Sequence, residues 1–354
     1  MKKKEIGSEY EAILVQKEKK LDNIFSYLKD YNSIYYDSGR SSLIEIIDYL
    51  QPKKVLLPSY ICESVLDCFK KYDCEIEYYF YKNSLNIDWN DLFEKITKSI
   101  DLVFIYFFNG FIDCDFNLKK LKKLQEKIQF KILEDTTHSI FTNKNIIGDY
   151  CVCSLRKWFP IPDGGVLYFK ESNKNLKINK KENKWYKKKY EAMKEKSLYL
   201  KGEIKNKEKF LKTFYGSEEE LDSQQSTFGI SKLSYSILLN CDINKIKNKR
   251  KLNANYLYNK LKNLNLNIVS YNDLENDIIP MFFTILIKNR DNLRKFLINS
   301  NIYCPVHWPM VSDLEFRKNV EIYSSKELSI PIDQRYDLND MQYIIEKIYK
   351  FLEL

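Results

Sequence analysis

Phe130-Lys131-Ile132-Leu133-Glu134-Asp135-Thr136-Thr137-His138 is the stretch on which the reading of the fold turns. Its first four residues form a short, largely apolar run that ends in charge, the pattern of a strand covered on both faces. Leu102-Val103-Phe104-Ile105-Tyr106 upstream is a run of the same kind. Between the two, Leu118 to Lys127 has the spacing of an amphipathic helix. Further toward the N-terminus, Lys54 to Leu57 reads as a strand stopped at Pro58, and Cys62 to Lys71 as a helix. Glu75 to Phe80 reads as a strand rich in Tyr and Ile, and Trp89 to Thr97 as a helix. Strands that alternate with helices predict βαβ units, hence an α/β fold with a mainly parallel sheet. Ligands of such a sheet lie beyond the carboxyl ends of its strands, so the polar residues that follow each apolar run are the candidates.

The rest of the composition narrows the class. The chain has 354 residues, 44% hydrophobic and 15% aromatic, which suits a globular protein of about two domains. No apolar run approaches the roughly 18 residues of a membrane span, and no signal-peptide pattern opens the chain. A cytoplasmic protein without a membrane partner is expected. Cysteines stand at 62, 68, 74, 114, 151, 153, 241 and 304, with no paired C-x-x-C spacing, and read as reduced, mostly buried thiols. His138 and His307 are the two histidines, which excludes a His-rich metal site; no metal is expected.

The net charge of +9 is local. Residues 170–212 hold 16 lysines against six glutamates, a +10 excess that leaves the remainder close to neutral. We read this as a solvated helical face with no core stripe, and expect no nucleic-acid partner.

After Phe169 the pattern changes. Residues 170–215 are lysine-rich and helical, and Ser231 to Leu264 reads as one or two helices. Ile278 to Ile287 follows as a strand, Arg290 to Ser300 as a helix, Ile302 to Val306 as a strand and Leu338 to Leu354 as a terminal helix. The expected partition is a large α/β domain at 32–240 that includes the lysine segment, and a smaller α+β domain from 1–31 and 241–354.

Four features carry candidate chemistry. Asp37-Ser38-Gly39-Arg40-Ser41-Ser42 opens a helix and offers N–H groups and hydroxyls to an anion, or simply caps the helix. Glu134-Asp135-Thr136-Thr137-His138 puts an acidic pair after a buried strand, able to anchor a cationic ring nitrogen, a ribose or a metal, or to cap its own turn. In Cys153-Ser154-Leu155-Arg156-Lys157 a lysine ends a strand, hemmed by Leu155, Trp158, Phe159 and Pro160. Partial desolvation there favours a nucleophilic amine, and the alternative is a snorkelling surface lysine. Pro160-Ile161-Pro162-Asp163-Gly164-Gly165 is a rigid turn behind that lysine.

Taken together, Asp135, Lys157 22 residues further on, Ser154 between them and the Gly-Gly turn resemble the pyridoxal-phosphate (PLP) site of fold-type I enzymes. More narrowly, the chain resembles the DegT/DnrJ/StrS-type sugar aminotransferases, almost over its whole length. Glu5 to Glu9, Ser38 to Leu43, Leu57 to Tyr60, Cys304 to Pro309 and Leu328 to Ile332 are similar to elements of that family.

The resemblance implies a large three-layer domain and a homodimer with shared active sites. It implies that Lys157 attaches the cofactor covalently and shuttles a proton, and that Asp135 pairs with the pyridinium nitrogen. His138 would lie by the phenolic oxygen, or alternatively be a core histidine satisfied within its turn. Gly39, Arg40, Ser41 and Ser154 would hold the phosphate, and Tyr60, with Cys62 as competitor, would stack on the ring. His307 and Arg335 are candidates for substrate contacts, Arg335 alternatively for a surface ion pair. The implied reaction moves an amino group from an amino acid such as glutamate to a keto-sugar, nucleotide-linked, for a surface polysaccharide or glycoconjugate. Another PLP reaction class, such as decarboxylation or small-metabolite transamination, and a non-catalytic binding protein are the alternatives. The lysine stands closer to the serine than in typical members, and Phe228 to Lys232 lacks the family's Asn and Arg. Both departures imply a divergent branch.

Overall fold

A computed structural model describes residues 5–13, 22–82, 85–111, 115–142, 146–171, 176, 181–264, 266–269, 278–308 and 321–353. Cys114, Pro309 and the lysines at 174, 177 and 180 lie outside the described residues. The fold is α/β with a mostly parallel central sheet. By packing, the chain divides into two compact units, residues 1–50 with 150–244 and residues 51–149 with 245–354. The partition at 32–240 remains a separate proposal.

In the unit 51–149 with 245–354, four strands run parallel, in the order Lys131–Asp135, Leu102–Tyr106, Lys54–Pro58, Glu75–Tyr79. The register sets Tyr106 opposite Asp135 and Pro58 opposite Tyr79. Every residue of Leu102–Tyr106 is buried, which is why its sequence is continuously apolar rather than alternating. The strand Lys131–Asp135 runs two residues past its apolar stretch. Glu134 is tolerated in the interior because its carboxylate accepts the N–H groups of Ile147 at 2.9 Å and Gly148 at 3.0 Å. Burial nevertheless pushes this carboxyl up to about 7. The second sheet is antiparallel, in the order Glu327–Ile330, Phe283–Leu286, Asn267–Ile268. The helices Arg290–Asn299 and Leu338–Phe351 pack on each other, and Asp337 and Asp340 form a capping box at the start of the second.

In the unit 1–50 with 150–244, Gly165–Phe169 pairs antiparallel with Asn32–Tyr36 on one side and with Tyr150–Ser154 on the other. The helix Gly39–Leu50 buries Leu43, Ile46 and Ile47. The lysine segment departs from expectation. Its helices Trp185–Lys201 and Glu208–Asp222 pack along each other and enclose a core of Ala192, Met193, Phe210 and Phe214, flanked by Tyr10, Ala12 and Tyr199. Among the described residues two of its lysines are interior, Lys189 at 4% and Lys196 at 2% exposure. Lys189 pairs with Glu218 and lies 3.4 Å from Glu9. Lys196 donates to Ser8 Oγ at 2.7 Å and to the Glu9 carbonyl. Partners drawn from distant sequence offset the desolvation of both amines, so the charge run hid a packed element.

The seven described cysteines are free thiols. Among the described residues, no helix is long and apolar enough to cross a membrane.

Candidate active site

The ends of the parallel strands carry the first group of candidates. Asp135 closes its strand half-buried, and its Oδ1 accepts the Thr137 N–H at 2.8 Å, which shapes the turn toward His138. His138 is 4% exposed. The Asn109 N–H donates to its Nδ1 at 3.2 Å. Asn109 follows the Leu102–Tyr106 strand in the left-handed region, at φ 56°. It is clamped by two 2.6 Å bonds, from its Nδ2 to the Phe282 carbonyl and from the Phe282 N–H to its Oδ1. The sequence reading passed over Asn109, although a polar residue after a buried run is the signal sought there.

Around His138 the rings are dense. Trp308 stacks on it at 5.7 Å and 28°, and Phe108, Tyr106 and His307 meet it edge-on. Tyr60 is 3% exposed and packs against Trp308 at 5.3 Å and Phe108 at 5.8 Å. The Tyr60 carbonyl accepts the Tyr106 hydroxyl. Cys62 stands at the N-cap of the helix Glu63–Lys70, its Sγ 3.1 Å from Ser64 Oγ. His307 is brought to this aromatic group, 6% exposed, its Nδ1 3.0 Å from Ser329 Oγ. Arg335 is engaged elsewhere. It holds Asp333 with both Nε and Nη2, at 2.8 and 2.9 Å, and its guanidinium lies over Tyr336. Burial would raise the Asp333 carboxyl, but Arg335 outweighs it and holds it below the usual range.

The other unit carries the helix-opening turn. Gly39 begins its helix so close to Ser154 that a Cβ on it would lie 2.9 Å from the Ser154 Cβ. A Cβ on Gly165 would lie 2.2 Å from the backbone of Ser38. Glycine is required at both positions because two chain segments touch there. The Ser41 hydroxyl donates to Asp37 Oδ1 at 2.6 Å, and its N–H donates to Ser38 Oγ at 3.0 Å. Asp37 is fully buried, which pushes its carboxyl up. As at any helix start, the Gly39 and Arg40 amides have no intrahelical acceptor. The Arg40 guanidinium bonds to Asp222 at 2.8 Å and to the Leu221 carbonyl at 3.1 Å.

Lys157 ends a single turn of 3₁₀ helix, Leu155–Lys157, and its side chain is exposed. The apolar neighbours that promised desolvation turn away from it: Leu155, Trp158 and Phe159 are fully buried. Arg156 points inward instead, paired with Glu218 and lying over the Trp185 ring at 5.3 Å. In the single chain Lys157 thus lacks the covering its sequence context suggested.

This architecture is that of the fold-type I transferases. The chain belongs to the DegT/DnrJ/EryC1/StrS aminotransferase family, whose model matches residues 80–349, and it is an aminotransferase. Among solved structures it is similar to Helicobacter pylori PseC, an aminotransferase involved in the biosynthesis of pseudoaminic acid. That match has 15% identity and a TM-score of 0.67 over 99% of this chain and 100% of that one. It is similar to S. venezuelae DesV, at 15% identity and a TM-score of 0.67 over 93% and 87% of the two chains. It is also similar to Spr1654 from Streptococcus pneumoniae in its PLP form, at 14% identity and a TM-score of 0.64 over 91% and 87%. No curated protein matches the sequence.

The donor sets suit PLP, the cofactor the family implies. The Gly39 turn, narrowed to backbone and serine hydroxyls at a helix start, suits a phosphate. The Asp135 carboxylate, at the end of a parallel strand, suits a protonated ring nitrogen.

Proposed function

We propose that this chain transfers an amino group from an amino acid, with glutamate as donor, to a keto-sugar that is nucleotide-linked, using PLP, in the biosynthesis of a surface polysaccharide or glycoconjugate. We further propose that it works in the cytoplasm as a homodimer with shared active sites. The family match over residues 80–349 carries this reading, because it takes in Asp135, His138 and Lys157 together. The likeness to PseC, an aminotransferase involved in the biosynthesis of pseudoaminic acid, supports this reading.

Bound PLP supplies an electron sink, and the protein decides which bond breaks. In this reading Lys157 Nζ holds the cofactor and moves the proton. Asp135 keeps a proton on the ring nitrogen by its negative charge. The N–H groups of Gly39 and Arg40, with the Ser41 and Ser154 hydroxyls, hold the phosphate. Arg40 takes part through its backbone, since its side chain binds Asp222. His138 and Tyr60 line the ring side, and His307 lies on the substrate side; Arg335 contributes through its loop with Asp333.

The test is a screen of keto-sugars, free and nucleotide-linked, against amino donors with the purified protein. Amino-sugar formation with stoichiometric loss of the donor is the expected result. Turnover of small keto acids alone, or donor decarboxylation, would overturn the sugar assignment.

A further inference from the structure

The two histidines of the chain lie side by side, ring centroids 5.5 Å apart and planes at 73°. Each uses its Nδ1, and in opposite senses. At His138 a backbone N–H donates to Nδ1. An N–H cannot accept, so this Nδ1 is bare and the neutral ring carries its proton on Nε2.

At His307, Nδ1 faces Ser329 Oγ at 3.0 Å. The Ser329 hydroxyl has one proton and directs it to Oε1 of Glu327 at 2.5 Å. Its lone pairs therefore accept, from His307 on one side and from Thr284 Oγ1, 3.1 Å away, on the other. The proton between Ser329 and His307 then belongs to the ring, on Nδ1. Glu327 is completely buried, and its second oxygen accepts the His307 backbone N–H at 2.6 Å. Its own carbonyl is held by Arg290 at 3.0 Å. Nothing in this arrangement needs a ligand to keep it in place.

We propose that Glu327, acting through Ser329, is a positioning residue that holds His307 in the Nδ1–H form. Its Nε2 is thereby an acceptor for a substrate hydroxyl, opposite in sense to the Nε2–H donor of His138. The ring form follows from geometry alone; the substrate hydroxyl rests on the sugar aminotransferase reading.

The pair of histidines makes the test direct. ¹⁵N-histidine labelling yields two ring systems in the NMR spectrum, assigned by a His307→Gln variant. The expected wild-type spectrum has one ring protonated on Nδ1, His307, and one on Nε2, His138. In Glu327→Gln the new amide donates to Ser329 Oγ, the serine proton turns toward His307, and that ring shifts to the Nε2–H form. The KM for the amino acceptor should then rise about five- to tenfold with kcat nearly unchanged, the size of one lost hydrogen bond. Glu327→Leu, which removes the carboxylate that lies 3.7 Å from Nδ1 and leaves the Ser329 proton free to turn to that nitrogen, should move the ring and KM in the same direction, and serves if the Gln variant does not fold. A wild-type His307 protonated on Nε2, or a ring unmoved by both variants, overturns the proposal. A ring that moves while KM stays constant overturns its substrate half. Absence of any sugar transamination by the wild type would refute the functional reading and leave the NMR result standing on its own.

Discussion

The Arg156 guanidinium meets the Glu218 carboxylate at 2.8 Å, one residue before Lys157. The same carboxylate takes Lys189, which reaches on to Glu9. The turn that carries Lys157 is therefore tied to the helix Glu208–Asp222 by a half-buried cation beside an exposed one.

Arg156→Ala should cost about 1–2 kcal/mol, since Glu218 is partly exposed and keeps Lys189. Burial alone would raise the Glu218 carboxyl, but Arg156 and Lys189 outweigh it and hold it at about 2, below the ordinary 4.5. Between those values the unfolded chain binds the extra proton, so the contribution is present above pH ~4.5 and lost as pH falls toward ~2. Urea denaturation at pH 7 and pH 3 checks it: the gap between wild type and variant should be smaller at pH 3.

Charge reversal in the lysine segment should split by position. Lys187 is exposed and the Lys188–Glu220 pair lies at the surface, so Glu at 187 and 188 should change stability by no more than about 0.5 kcal/mol each. Lys189→Glu places a carboxylate among Glu9 and Glu218 in the interior, and should cost on the order of 3 kcal/mol or more. Denaturant midpoints of the three single variants decide it, and equal midpoints would contradict the packing described.

Glu134 should give the opposite pH trend. Its carboxyl is raised to about 7, so between pH ~4.5 and ~7 the folded chain holds a proton that the unfolded chain has lost. Stability from this group is complete below ~4.5 and declines as pH rises through ~7, by on the order of 3 kcal/mol. Glu134→Gln, whose carbonyl can still accept from Ile147 and Gly148, should flatten that decline in a series of melts from pH 5 to pH 8.

Much of the fold was legible because buried parallel strands leave continuous apolar runs. Leu102–Tyr106 is the clearest, its bounds readable from the sequence alone. Asp135 and His138 stood out for the same reason, as polar residues at the end of such a run. What the sequence concealed depended on partners far along the chain. Lys189 and Lys196 look like solvated charge until Glu218, Glu9 and Ser8 are brought to them. Arg40 looks like an anion ligand until Asp222 claims its guanidinium. The Glu327–Ser329–His307 arrangement joins a strand to a turn about twenty residues before it, which no local pattern announces.

Lys157 is the residue on which the account of function rests. Its most direct test is to incubate the purified protein with PLP, reduce with borohydride, digest, and locate the pyridoxyl group by mass spectrometry. The account predicts the label on the peptide that contains Lys157, and no fixed label in a folded Lys157→Ala variant. A label on another lysine, or one that persists in that variant, would contradict it.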